Sequence, residues 1–580
     1  MKIILLFFLA SLLTAAYIHS GSAPTISYQE RRTAIAIKER YAVSCSPDFS
    51  ELDFNDSSNT IPLLEGWGSY RMPVTTNSDS SKIYFEQGIN MYYGFHIIEA
   101  LASFDKSIKF DSSFAMGYWG KALAYGPNIN DFGYSASPEA LTAMHKASIS
   151  SGKCTAVEKG LIEAMQVRYS PDSAQSREQL NQLYADAMMK LYLSTSRDAD
   201  VAALYVDALM VQHPWDLYYK NYQPKSWTHE IVQTLETALK KFPDHPGAAH
   251  YYIHAIEASA HPEKGLAVAK KLPELMPGVA HLVHMPSHIY IRSGYYGLGE
   301  QVNSQAVKGY YNYLNKFPAV VNNSSLYLIH NLHMQATCAN MDGRFKDAMA
   351  SSIDCKNSFD SSWQSIPDYL GVFVQYVYMT PYLTLIRFGK WDDILHTPEN
   401  PAGHVYANLL WHYGRGLAFA RKHDFDNAGK QLDTVSRLLT IGQLKAPAPS
   451  YANPAIAGAE LAKKILEGVI AEEQDDLTGS IALLTTAVAL EDSMIYNEPK
   501  DWVHPVRQYL GNVLLKAKKY TAAASIYQED LAINPNNGWS LTGLAVALSK
   551  QGQKEKALKA RQQAAKAFSK SDKEIIHSVF

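Results

Sequence analysis

Two stretches of this sequence space their imidazoles in a way that suits metal chemistry. His250-Tyr-Tyr-Ile-His254 and His284-Met-Pro-Ser-His288 both read His-x-x-x-His and lie 34 residues apart. A spacing of four puts both rings of a pair on one helical face. A third stretch, His330-Asn-Leu-His333-Met334, matches His281-Leu-Val-His284-Met285 at its His and Met places. Its register is 49, which implies a long loop inserted around Gly309 to Asn322. Nine of the 20 histidines fall between His245 and His333. The candidate metal ligands are therefore His250, His254, His281, His284, His288, His330 and His333. Glu257, three residues past His254, shares its face and is the candidate carboxylate ligand or general base. Arg292, four past His288, is placed to hold an anion by a bidentate contact, and Tyr290 to orient a ring or meet a ligand.

Imidazole suits zinc, copper, nickel and iron alike, and Met285 and Met334, if turned inward, would favour copper through thioether ligation. Copper or zinc are the expected cofactors. Two blander readings stand beside this one. A structural histidine bonding to the preceding unit would be copied with the repeat, or a groove would grip peptides through splayed histidines. Pro286, inside the second motif, predicts a helix that starts late or kinks there and moves His284 relative to His288.

The elements that must position these residues are paired helices. Leu510, Gly511, Leu514 and Ala523 recur 34 residues later as Leu544, Ala545, Leu548 and Ala557. A 34-residue period is the tetratricopeptide signature: small residues where helices touch, large ones between, a proline closing the unit. Gly88, Met91, Ala100 and Phe104 form an early copy, and Gly416, Phe419, Ala428 and Leu432 another. The expected fold is all-α, a right-handed superhelical solenoid of tetratricopeptide-like hairpins with the first helix of each pair lining its concave face. The expected divisions are a signal peptide over 1–23, a non-repeat arm over 24–80, a solenoid over 81–445 with its histidine-rich groove at 244–340, and further repeats over 446–580.

Lys2, the apolar run Ile3 to Ala16 and the small residues Gly21, Ser22 and Ala23 read as an export signal, so the expected location is periplasmic or extracellular. No later stretch is apolar and long enough to span a membrane. Of the four cysteines, Cys338 and Cys355 fall on the two helices of one repeat, either as a disulfide or as two buried thiols. The near balance of 53 Lys+Arg against 56 Asp+Glu argues against a nucleic-acid partner. The sequence has no Gly-rich phosphate loop, Gly-x-Ser-x-Gly elbow or His-Glu-x-x-His helix.

His245-Pro-Gly-Ala-Ala-His250-Tyr-Tyr-Ile-His254, His281-Leu-Val-His284-Met-Pro-Ser-His288-Ile-Tyr290, Trp502 to Leu510 and Asn537-Gly-Trp-Ser-Leu541 resemble an exported bacterial tetratricopeptide-repeat family. The resemblance runs from roughly Tyr84 to Ala567. It implies the helical-repeat fold and brings no activity or metal with it. One departure is visible: the family reads Phe-Asn-His-x-Glu-Ala where this chain has Phe95-His96-Ile97-Ile98-Glu99-Ala100, which leaves His96 without an inherited role. Two functions follow. The first is an exported repeat scaffold that binds a peptide or protein in its concave groove and carries a histidine-lined metal site. The second is a copper-, zinc- or iron-dependent oxidoreductase or hydrolase using the same histidines, with Glu257 moving protons.

Overall fold

Residues 61–129, 138–172, 174–195, 198–316, 324–359 and 361–580 are described by the structure, a computed structural model. The export signal, Cys45 and most of the expected arm lie outside them. The described chain is a succession of helical hairpins from Asp79 to Ala567 without a β-strand. No helix among the described residues is long and apolar enough to cross a membrane.

The 34-residue period produces the hairpins directly. Val506–Lys516 pairs with Tyr520–Ile533, and Gly538–Lys550 with Lys554–Ala567. The tight turns inside these two hairpins place Lys518 (φ 58°) and Gly552 (φ 77°) in the left-handed region at equivalent positions 34 apart. That conformation costs a non-glycine residue about 1 kcal/mol, which the packing of the two helices outweighs. Close approach explains the small residues. A Cβ on Gly511 would fall 2.5 Å from the Tyr527 ring, and one on Gly88 2.7 Å from Phe104.

The histidine segment follows the same plan. Its first helices are Pro246–Ile256, then the broken pair Ala280–His284 and Pro286–Arg292, then Ser324–Met341. The break falls at Met285, where Pro286 has no N–H to give and its ring obstructs the carbonyl four residues back. The expected loop from Gly309 is not found up to Lys316: Tyr296–Lys316 is one 21-residue helix. The inserted length is largely extra helix, because a lone glycine weakens a helix without ending it. Cys338 and Cys355 sit on the two helices of one hairpin as buried free thiols.

The apolar core forms two bodies, one drawn from Ile61 to Val377 and the other from Val372 to Val579. Long-range hydrogen bonds fasten the C-terminal repeats onto the histidine repeats. Trp539 Nε1 donates to the Asn340 carbonyl at 3.1 Å, and Tyr296 Oη to that of Pro535 at 3.0 Å. At the other end the segment from Ile61 to Ser78 straps the first hairpin to the histidine repeats, with Gly278 N donating to Gly66 O at 2.7 Å. The first helix of the histidine repeat is consequently buried along its whole length.

Candidate metal centre

Three consecutive first helices bring six imidazoles into two adjoining sets. His250, His254 and His281 form one, and His284, His288 and His330 the other. In each set three ligand-capable atoms lie within 4.8 Å of one another. The two sets touch: the His254 and His288 rings are 5.9 Å apart, and those of His281 and His284 6.1 Å. Phe95, held at φ 59° in the turn after the first hairpin's opening helix, lies against the first set. Its ring stacks 5.8 Å from His254 and 5.7 Å from His281. The five histidines contributed by Pro246–Ile256 and the broken helix are all buried.

Hydrogen bonds and ion contacts fix which nitrogen is bare on four of the six rings. His250 Nδ1 lies 2.6 Å from the Tyr93 carbonyl, which can only accept, so Nδ1 carries the proton and Nε2 is free. His284 Nδ1 lies 2.5 Å from Asn303 Oδ1. That amide is oriented by its own Nδ2, which donates to the Gly299 carbonyl at 2.7 Å. His254 Nδ1 donates to Glu257 Oε1 at 3.2 Å, and the His254 Nε2 is buried with no hydrogen-bond partner in the protein. His288 Nδ1 sits between two carboxylates, 2.6 Å from Glu257 Oε2 and in close contact with Glu498 Oε2. One carboxylate, Glu257, therefore orients a ring from each set.

The remaining nitrogens face one another. His250 Nε2 and His281 Nε2 are 3.1 Å apart, and His284 Nε2 and His288 Nε2 2.8 Å. Two nitrogens bound to one tetrahedral ion at about 2.0 Å lie roughly 3.3 Å apart, near the first separation and about 0.5 Å beyond the second. In the His284–His288 pair each Nδ1 is already committed to an oxygen. Two neutral rings would then oppose lone pair to lone pair, an arrangement that needs either a metal ion or an extra proton.

Electrostatics say where that proton sits without metal. Burial, then the neighbouring imidazoles, holds His250, His281 and His284 well below the usual range, and burial lowers His254 as well. Burial and the nearby His288 push His330 down to about 3. Burial opposes the charged form of His288 too, but Glu257 and Glu498 outweigh it and raise the group to about 10. Burial would raise Glu257, yet His288 and His254 hold it below the usual carboxylate range. Burial keeps Glu498 above that range despite His288. Five rings are thus neutral at pH 7, as ligation requires, and one is poised to exchange a proton for a cation.

Three expected site residues stand apart from both sets. His333 is buried with its Nε2 unpartnered, and its ring lies edge-on to Tyr376 at 6.0 Å. Arg292 spends its donors on the carbonyls of Glu257, Ser259 and Ile533, and its guanidinium stacks on Tyr222 and Tyr496. Tyr290 is buried beside Tyr295. His245, in the same histidine-rich window, caps its helix, accepting from Ala248 N at 3.1 Å while its Nε2 meets Asp200 at 3.2 Å. Met285 and Met334 are fully buried.

Sequence reasoning missed Glu498, Asn303 and Phe95. Glu498 arrives from a non-helical segment 210 residues beyond His288, and only its nearness to the Trp502–Leu510 stretch of the family resemblance hinted at it. Asn303 carried no motif, and Phe95 opened the Phe95–Ala100 stretch, which was read for His96 and not for its own ring.

A family model described as tetratricopeptide repeat matches residues 514–575. A comparison with curated proteins returns no match. Among solved structures, the human IFIT1 dimer with m7Gppp-AAAA is 13% identical at a TM-score of 0.29, covering 85% of this chain and 91% of that one. The Cut9-Hcn1 hetero-tetramer of the APC/C is 12% identical at 0.28, covering 86% and 76%. Yeast Tom70 is 11% identical at 0.26, covering 85% and 93%. These scores are too low to carry an argument about shape or ligand, and the solenoid assignment rests on the helical hairpins themselves.

Proposed function

We propose that this chain is a metalloprotein on a tetratricopeptide-type scaffold, its two three-imidazole sets holding a pair of metal ions as one dinuclear centre. The observation that carries the reading is the meeting of His284 Nε2 and His288 Nε2 at 2.8 Å while both Nδ1 atoms are committed to oxygen acceptors. Helical-repeat scaffolds commonly bind protein partners along an exposed trough. Here the imidazoles touch one another in a buried cluster, which favours ligation of ions over gripping of a peptide by histidine.

Six imidazoles, all neutral once His288 has given up its extra proton, form a donor set of intermediate softness, suited to copper first and zinc second, with no carboxylate needed among the direct ligands. Bound copper would supply one-electron chemistry, so an oxidoreductase is the activity this centre serves best; bound zinc would supply Lewis acidity for hydrolysis instead. Glu257 acts as a positioning residue, fixing the tautomers of His254 and His288. Glu498 does the same for His288 from the C-terminal repeats. The N-terminal apolar run supports export of the metal-loaded protein.

The experiment that decides between the metals is titration of chelator-stripped protein with copper and with zinc, followed by electron paramagnetic resonance of the copper form. Copper displacing zinc and giving nitrogen hyperfine structure from several imidazoles is the expected result. Saturable zinc binding that copper cannot displace would turn the reading to hydrolysis.

A further inference from the structure

Beside the centre lies a cavity of about 380 Å³ whose walls hold Lys500 and Glu491 in no ion pair, while Lys220, also in the wall, is exposed and donates to the Ser493 carbonyl. Lys500 lines it and donates to Asn534 Oδ1 at 3.0 Å, an uncharged partner. Glu491 lines it too and uses Oε2 to accept from the Val506 amide at 3.1 Å. Neither forms an ion pair with any described residue. The other acids around the cavity are already engaged. Asp492 takes both ends of the Arg507 guanidinium at 2.7 and 2.8 Å, and Asp501 accepts from Asn453 and Asn497 at 2.6 and 2.9 Å. Asp530 accepts from Asn534, Asn537 and Ser540. Burial raises the Glu491 carboxyl although Lys500 and Arg507 oppose it, and burial lowers Lys500 although Glu491 opposes it.

An ammonium and a carboxylate that line one cavity and feel each other's charge without an ion-pair contact leave room between them for a ligand with the complementary pair. Tyr222, Tyr496 and Trp502 supply aromatic wall between them. The volume falls in the range of small-molecule sites. A narrower cleft lined by Arg292, Tyr496, Glu498, Lys500 and Trp502 continues to the carboxylate that touches His288.

We infer that this cavity binds a small amino-acid zwitterion, its carboxylate on Lys500 and its ammonium on Glu491, with an apolar or aromatic side chain against the tyrosines and Trp502. The binding claim is independent of the metal reading; the ligand's role as substrate of the centre rests on that reading.

The test is calorimetry on the full metal-loaded chain with L-phenylalanine, 3-phenylpropionate and phenethylamine, which offer both charges, the carboxylate alone and the ammonium alone. Phenylalanine should bind saturably and each half-ligand about tenfold or more weaker, since each lost contact is a hydrogen bond between charged groups. Lys500→Met should weaken phenylalanine and leave phenethylamine unaffected, and Glu491→Gln should weaken phenylalanine and leave 3-phenylpropionate unaffected. Absence of phenylalanine binding, equal binding of a half-ligand, or indifference of phenylalanine to both substitutions in folded variants would overturn the inference. Metal content measured on the same samples separates the readings: a metal-free protein that binds phenylalanine retains the cavity and loses the centre.

Discussion

Four of the six clustered rings are set by oxygens: His250 by the Tyr93 carbonyl, His254 by Glu257, His284 by Asn303 and His288 by two carboxylates. His284 is held by an amide that is itself held, so Asn303→Leu should free the ring to adopt the other tautomer and weaken metal binding about 10- to 100-fold, measured by competition with a chromophoric chelator. The raised His288 makes a second expectation. Between roughly pH 7 and 9 the metal-free ring carries an extra proton that ligation must expel, so calorimetry in buffers of different ionisation enthalpy should show about one proton released per centre formed. Affinity should accordingly rise with pH across that window. His333 lies outside the sets and isolates a stability effect. Burial lowers it to about 4 from 6.5, so below pH 6.5 the unfolded chain takes up a proton that the native ring refuses. Stability then falls as pH falls toward 4, by about 3 kcal/mol for this group. His333→Leu should remove that share of the loss in urea denaturation at pH 7 and pH 4. The spacing of the pairs picked out the six rings that cluster because helical periodicity is local. It also grouped His333 with His330, although three residues on a helix turn through about 300° and leave the two rings roughly 60° apart.

The broken first helix contributes imidazoles to both sets. His281 serves one set and His284 and His288 the other, although the His281–His284 spacing repeats at His330–His333. Pro286→Ala restores an N–H and removes the obstructing ring, so the two short helices should merge and His288 should swing away from Glu257 and Glu498. Metal content should fall by at least one equivalent while helical ellipticity is kept or gained. The kink was legible, since proline acts on its own backbone neighbours. The extra helix to Lys316 was not, because a matched register reveals an insertion and says nothing of its conformation.

At the scale of the whole chain, the C-terminal repeats close over the histidine repeats and deliver Glu498. Trp539 is the buried anchor of that closure, donating to Asn340 with the Arg387 guanidinium 3.9 Å over its ring. Trp539→Ala should cost about 3–5 kcal/mol. It should also lower the urea concentration at which metal is released, measured by chelator absorbance alongside circular dichroism. The hairpins were readable from the 34-residue period, because each repeat's small residues answer only to their neighbours. The closure was not, because contacts between Arg292 and Ile533 or Trp539 and Asn340 span 199 to 241 residues and follow no local pattern.

The most direct test of the dinuclear centre is elemental analysis of the protein purified without chelator or histidine tag, beside a variant with His250, His254, His284 and His288 all changed to Ala. About two equivalents of metal in the parent, and none in a variant that keeps its helical spectrum, is the predicted result. A parent that holds no metal after incubation with copper and zinc would contradict it.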